Sequence, residues 1–186
     1  MLARIRDILA GRTHGEGPAP MAGRANAAVL IPLFEDRGRP GVLFIRRSHH
    51  ISLHKGQMGF PGGMAEAADR GDLMNTALRE TQEEVGVMTE DVEVVGELTL
   101  RSTIVSGLNV QPFVGIIPWP YILTPDPLEV AGVHNAFLED LARDVMWGEN
   151  RFDLPPPVYP VGGYPVWGLT AKILTELLEL LKDAGI

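Results

Sequence analysis

Gly62-Gly63, a short acidic loop, and then Arg79-Glu80-Thr81-Gln82-Glu83-Glu84-Val85-Gly86-Val87 make up the most informative run of the chain. The segment from Asp72 to Val85 reads as a helix, with Asp72 suited to its N-cap and Gly86 to a left-handed stop. At about 100° per residue, Met74, Leu78, Thr81 and Val85 fall into one narrow, largely apolar stripe that should face a core. Measured from Glu80, Glu84 lies about 40° to one side and Glu83 about 60° to the other, so the three carboxylates share a second face. They can converge on the same ions. Clustered carboxylates raise one another's pKa unless countercharge is present, and hard oxygen ligands suit Mg²⁺ or Mn²⁺. Arg79 stands one helical turn before Glu83, the spacing at which a guanidinium holds a carboxylate in position.

An acidic helix face is most often simply solvated. What argues for chemistry is the upstream Phe60-Pro61-Gly62-Gly63, where paired glycines permit a tight turn that can bring a backbone carbonyl towards the same ions.

Outward from this run, Ala27 to Phe34 and Val42 to Arg47 read as neighbouring strands, with Val92 to Leu100, Val110 to Ile117 and Glu129 to Phe137 as further strands. Leu2 to Leu9 suits a short amphipathic helix, Gly11 to Gly23 a loose connection, and Leu138 to Val145 another helix. Trp119 to Pro127 is a proline-rich loop. Thr170 to Ala184 is a terminal helix whose Ile173, Leu174, Leu177, Leu178, Leu180 and Leu181 form an apolar surface too wide for a solvated helix. Packing on the sheet is the first reading of that surface and a homodimer contact the second.

At 186 residues the chain fits a single unit over 1–186, with 1–25 as the N-terminal helix and flexible connection. Apolar residues at 45% and charged residues at 22% suit a globular fold, and 21 Gly with 15 Pro imply many turns. A net charge of -8 argues against nucleic acid as a partner, because phosphate neutralisation needs clustered Lys and Arg. A small anionic substrate would then need metal ions as bridges. The absence of Cys removes disulfides, thiolate zinc sites and thiol nucleophiles, and fits a reducing cytoplasm. No stretch has the apolar length of a membrane span and no signal peptide is evident, so no membrane partner and a cytoplasmic location are expected.

Gly63-x5-Asp69-x9-Arg79-Glu80-Thr81-x-Glu83-Glu84-x-Gly86-Val87 resembles the signature of the Nudix hydrolases, which act on nucleoside diphosphates linked to another group. The usual loop glutamate is Asp69 here, and the spacer to Arg79 is longer than in the common form. Leu43 to Ser48, His54, Gly56, Gln57 and Phe60 to Gly63 resemble the upstream signature of the family's coenzyme A diphosphatase branch. Ser106 to Pro112, Glu129-Val130 and Trp167 to Ala171 resemble that branch's later half. Two positions depart from it, Ile45 and Ser52, where the branch has threonine and arginine.

The resemblance implies an α/β fold, an α/β/α sandwich with a mixed sheet. It implies that Glu80, Glu83 and Glu84, with the Gly62 carbonyl, bind Mg²⁺ or Mn²⁺ around a diphosphate. Glu83 and Glu129 are the candidates for the base that activates water, and Arg79 the residue that orients a ligand. Arg46, Arg47, His54, Lys55, Gln57 and Gly63 are the candidates for substrate contact, the cations because a charge-assisted contact to phosphate favours Arg or Lys. Trp119 and Tyr121 could stack on adenine, although packing is the safer reading. The expected substrate is coenzyme A or its thioesters, cleaved to 3',5'-ADP and 4'-phosphopantetheine. ADP-ribose, dinucleotides or nucleotide sugars are the alternative, and a catalytically silent nucleotide-binding module is the rival of another class.

Overall fold

The run from Ala25 to Asp36 and the run from Arg39 to Arg47 are joined by a two-residue turn and become the centre of the sheet. A computed structural model describes residues 1–10, 25–49, 55–103 and 107–185 of the chain. In chain order the elements are α1 (Leu2–Ala10), β1 (Ala25–Asp36), β2 (Arg39–Arg47), β3 (Met58–Gly59), β4 (Gly62–Met64), α2 (Leu73–Val85), β5 (Glu93–Glu97) and β6 (Arg101–Ser102). There follow β7 (Leu108–Ile116), β8 (Val130–Phe137), α3 (Leu138–Asp144), β9 (Tyr159–Val161), β10 (Tyr164–Val166) and α4 (Gly168–Asp183).

The main sheet runs β3-β2-β1-β7-β5, with β8 on the outer edge of β2. It is mixed, because β1 and β7 pair in parallel while the other pairs are antiparallel. β1 holds β2 along Leu33–Asp36 but holds β4 along Ala27–Val29, and β2 holds β3 at Ile45 and Arg46. The two central strands therefore diverge, and the segment carrying Phe60-Pro61-Gly62-Gly63 fills the fork between them. The Leu30 N–H donates to the Pro61 carbonyl at 2.9 Å, which keeps the ladder satisfied across the fork.

Strand alternation sorts the core into layers. Ala28 and Leu30 pack with Ala77 of α2, and Phe34, Leu43 and Ile45 pack with Val85 at the end of that helix. Ile31, Leu33, Val42 and Phe44 point the other way, into a cluster with Ile5 and Leu9 of α1, Leu138 and Leu141 of α3, and Ile173, Leu174 and Leu177 of α4. The architecture is thus the expected α/β/α sandwich. The wide apolar surface of α4 is used within this chain, with Leu178 and Leu180 packed at the margin of that cluster.

The strand expected over Val92 to Leu100 is instead two pieces. Its register on β7 shifts between Val94 and Gly96, and pairing resumes only at Arg101. Pro112 of β7 lies between these pieces and has no N–H for the ladder. Gly11 to Gly23, the loose connection of the sequence reading, lies outside the described residues.

Candidate active site

Helix α2 starts and stops where its end residues dictate. The Asp72 side chain accepts the Met74 N–H at 2.9 Å, and Gly86 takes a φ of 75° with its N–H on the Gln82 carbonyl. Its buried face is broader than the apolar stripe, since Thr76, Ala77, Leu78, Thr81, Glu84 and Val85 are all buried, while Met74 is only half-buried. Thr81 is accommodated because its hydroxyl donates to the Ala77 carbonyl at 2.7 Å.

Glu84 is 1% exposed. Its Oε2 accepts the Gly62 N–H at 2.8 Å, and its Oε1 lies 3.8 Å from an Arg47 terminal nitrogen. Burial pushes its carboxyl up to about 8, against the smaller opposing pull of the Gly62 N–H and Arg47, with Glu80 and Glu129 adding to the rise. Glu80 is also shifted upward, first by burial, with Arg79 opposing and Glu83 and Glu129 reinforcing. Carboxylate oxygens of Glu80, Glu84 and Glu129 lie within 4.8 Å of one another.

The structure divides the residues singled out from sequence. Glu83 shares the helix with Glu80 and Glu84 but is outside that trio: its side chain is 57% exposed and its Oε2 accepts from Arg79 at 2.8 Å. The roughly 100° between Glu83 and Glu84 around the helix carries one carboxylate outward and the other under Gly62. Glu129 takes the third place from a distant part of the sequence. Gly62 meets the trio through its N–H. At Gly63 an added Cβ would overlap the Glu80 carboxylate.

Arg46 and Arg47, adjacent in sequence, go to opposite faces of the sheet. Arg47 faces Glu84, whereas Arg46 sits over the Tyr164 ring at 4.7 Å and donates to the Ala131 carbonyl at 3.3 Å. Lys55 is exposed in the turn that returns to β2, where the Gly56 N–H donates to the Arg47 carbonyl and the Arg47 N–H to the Gln57 carbonyl. His54 and Ser52 lie outside the described residues. Trp119 stacks on Phe34 with ring centroids 4.1 Å apart, and the Tyr121 hydroxyl donates to Asp91 and accepts from the Met88 N–H. Both are engaged in packing.

Arg79 makes five hydrogen bonds: Nε and one terminal nitrogen to Asp69, that nitrogen also to the Met64 carbonyl, and the other terminal nitrogen to Glu80 and Glu83. These match the five N–H donors of a guanidinium. Asp69 is the residue that the sequence reading did not place in the site. It is 2% exposed, accepts also from the Glu66 N–H and the Thr76 hydroxyl, and is held well below the usual carboxylate range chiefly by Arg79. The signal available was the signature itself, in which Asp69 stands where the usual loop glutamate would be; in the structure it closes a 3-10 turn at Ala67–Asp69 just before the helix that carries Arg79.

The donor set fits a hard divalent cation. It is all carboxylate oxygen, and Glu84 is a buried carboxyl, with Arg47 no nearer than 3.8 Å, whose ionised form such an ion would compensate.

Three comparisons bear on this geometry. The NUDIX domain family matches residues 24–116. A protein of Citrobacter koseri, named the uncharacterized Nudix hydrolase NudL, is 39% identical over 165 residues, which cover 83% of this chain and 81% of that protein. Among solved structures, the Ap4A hydrolase binary complex of C. elegans superposes with a TM-score of 0.58 at 17% identity, over 87% of this chain and 99% of the other. The NUDIX domain of Shewanella oneidensis NrtR, solved with ADP ribose, gives 0.57 at 15% identity over 96% of each chain.

Proposed function

The chain belongs to the Nudix hydrolase family and is a hydrolase of phosphorus anhydrides, and from that premise we propose a divalent-metal-dependent diphosphatase of coenzyme A or its thioesters. The observation that carries the site is the meeting of Glu80, Glu84 and Glu129 within 4.8 Å beside Arg47. Coenzyme A is favoured among substrates by the resemblance of Leu43 to Ser48, Gly56, Gln57 and Phe60 to Gly63 to that branch of the family. ADP-ribose and dinucleotides form the second reading, favoured by the ligands named for the two structural neighbours and by the departures at Ile45 and Ser52.

In this reading Glu80 and Glu84 would hold Mg²⁺ or Mn²⁺, and Glu83 and the Gly62 carbonyl would be the further oxygen ligands that the family resemblance implies. The cation, when bound, supplies Lewis-acid stabilisation of charge on the phosphorus oxygens and acidifies the attacking water. Glu129 would accept the proton of the attacking water at a carboxylate oxygen. It is preferred over Glu83 because Glu83 already accepts from Arg79. Arg79 acts as a positioning residue: its donors are occupied within the protein and fix Glu80 and Glu83 against Asp69. Arg47, 30% exposed and facing Glu84, is the cation best placed for a phosphate, with Lys55 and Gln57 on the adjoining turn. Arg46, over the Tyr164 ring on the other face, would contact a more distant part of the substrate, and His54 keeps the substrate role that the family resemblance implies.

The test is product identification by mass spectrometry after incubation with Mg²⁺ or Mn²⁺ and, separately, coenzyme A, ADP-ribose and diadenosine polyphosphates. Metal-dependent release of 3',5'-ADP and 4'-phosphopantetheine, faster than any other turnover, is the expected result. Turnover of another diphosphate alone would discard coenzyme A.

A further inference from the structure

Glu129 precedes β8 and is carried by neither helix nor strand, yet its carboxylate meets two side chains fixed on α2. Such a meeting needs a device that ties the loop to the helix. The connection through Pro118–Glu129 is laid against the C-terminal end of α2, where carbonyls lack intrahelical partners. The Thr124 N–H donates to the Val85 carbonyl at 3.0 Å, and the Asp126 N–H to the Glu84 carbonyl at 3.1 Å. Asp126 then turns the chain. Its Oδ1 accepts the Leu128 N–H at 2.8 Å, and its carbonyl accepts the N–H groups of Glu129 at 3.1 Å and Val130 at 2.8 Å. The Glu129 carbonyl in turn accepts the Ser48 N–H at 2.7 Å. Two hydrogen bonds through one residue therefore join the backbone of Glu84 to the backbone of Glu129.

The residues around it suit this task. Pro125 and Pro127 fix φ on either side of Asp126, and an Asp side chain that accepts from the N–H two residues on is the standard means of setting such a turn. Gly86 leaves the space that the loop needs, since a Cβ there would overlap the Thr124 hydroxyl.

We propose that Asp126 is a positioning residue for the hydrolase reaction, setting the place of the Glu129 carboxylate beside Glu80 and Glu84; this rests on the active-site reading given above. The Asp126 side chain accepts the Leu128 N–H and is not part of the gathered trio. It acts through Glu129.

The experiment compares Asp126→Ala, Asp126→Asn, Glu129→Gln and the Asp126→Ala/Glu129→Gln pair, each checked by thermal melting. The readouts are kcat and KM on the substrate that the unaltered protein hydrolyses, and Mn²⁺ affinity by isothermal titration calorimetry with the metal alone. Asp126→Ala should lose about 10- to 100-fold in kcat, with KM little changed, and should bind Mn²⁺ more weakly, as substitutions that disturb a supporting residue do. Asp126→Asn keeps an Oδ1 acceptor and should restore both. The paired variant should be no worse than Glu129→Gln alone, because the two residues act as a unit. Losses that multiply in the pair while Glu129→Gln is itself defective would overturn the role of Asp126 and leave the site standing. A Glu129→Gln protein with unaltered kcat and Mn²⁺ affinity would remove Glu129 from the site and the inference with it.

Discussion

A carboxylate that is 1% exposed, with its cation 3.8 Å away, resists ionisation, and Glu84 keeps its proton up to about pH 8 while no metal is bound. Its folded pKa is raised above the unfolded value near 4.5, so the folded state binds the extra proton between these limits. Its contribution to stability is complete below the unfolded value and is lost as pH rises through the folded one. Asp69 works in the opposite sense: its pKa is depressed, so the stability it brings is present above about pH 4 and is lost on acidification. We expect the metal-free protein to lose melting temperature between pH 5 and about 8, and Glu84→Gln to flatten that decline. Mn²⁺ binding near neutral pH should release a proton, seen calorimetrically as a heat that depends on the buffer's ionisation enthalpy. A decline equally steep in Glu84→Gln would refute this assignment. Little of this residue-level detail was legible in the sequence. Helical angles put Glu80, Glu83 and Glu84 on one face, but the roughly 100° between Glu83 and Glu84, set against a neighbouring strand, decides which of them is buried. Arg46 and Arg47 illustrate the same limit, because the period of a strand separates adjacent cations to opposite layers.

At the scale of elements, the site is the junction of β4 with α2, and its two glycines serve different needs. Gly62 has a φ of 152°, and a Cβ there would collide with the backbone of Ala28 and Val29. Gly63 lies opposite Ala28 in the ladder, and a Cβ there would first meet the Glu80 carboxylate, the far end of a flexible side chain. Gly62→Ala should therefore be strongly destabilising, by the one to three kcal/mol (about) that backbone strain and overpacking cost. Gly63→Ala should leave the melting temperature nearly unchanged but lower metal-dependent activity by displacing Glu80. Thermal melts paired with assays would separate them; a Gly63→Ala enzyme with full activity at limiting Mn²⁺ would show that Glu80 does not need this space. Elements with local signals could be read in advance. Asp72 and Gly86 mark both ends of α2, and alternation with apolar runs marks β1, β2 and β7. β3, β4 and β6 have two or three residues each, too short for a period, and exist because the sheet around them offers unpaired backbone.

For the whole molecule, the layering separates what stabilises the fold from what builds the site. The sequence could supply layers but not strand order, and without that order nothing brings Glu129 to Glu84, since their meeting depends on β8 lying on β2 and on the loop that caps α2. α2 packs on one face of the sheet and carries the acidic residues, whereas α1, α3 and α4 fill the other. Leu174 of α4 is completely buried in that second layer. Leu174→Ala should cost about 2–5 kcal/mol, the range for deleting a buried leucine side chain. For a chain of this size each kcal/mol corresponds to roughly 2–4 °C in Tm. Because the sheet stands between this cavity and the carboxylates, kcat/KM at a temperature where the variant remains folded should equal that of the unaltered protein. Circular dichroism would establish the folded fraction and initial rates the activity. A folded Leu174→Ala protein with a large loss of kcat/KM would mean that packing in the α4 layer is transmitted through β1 and β2 to the acidic trio, and the two layers would then have to be treated as one mechanical unit.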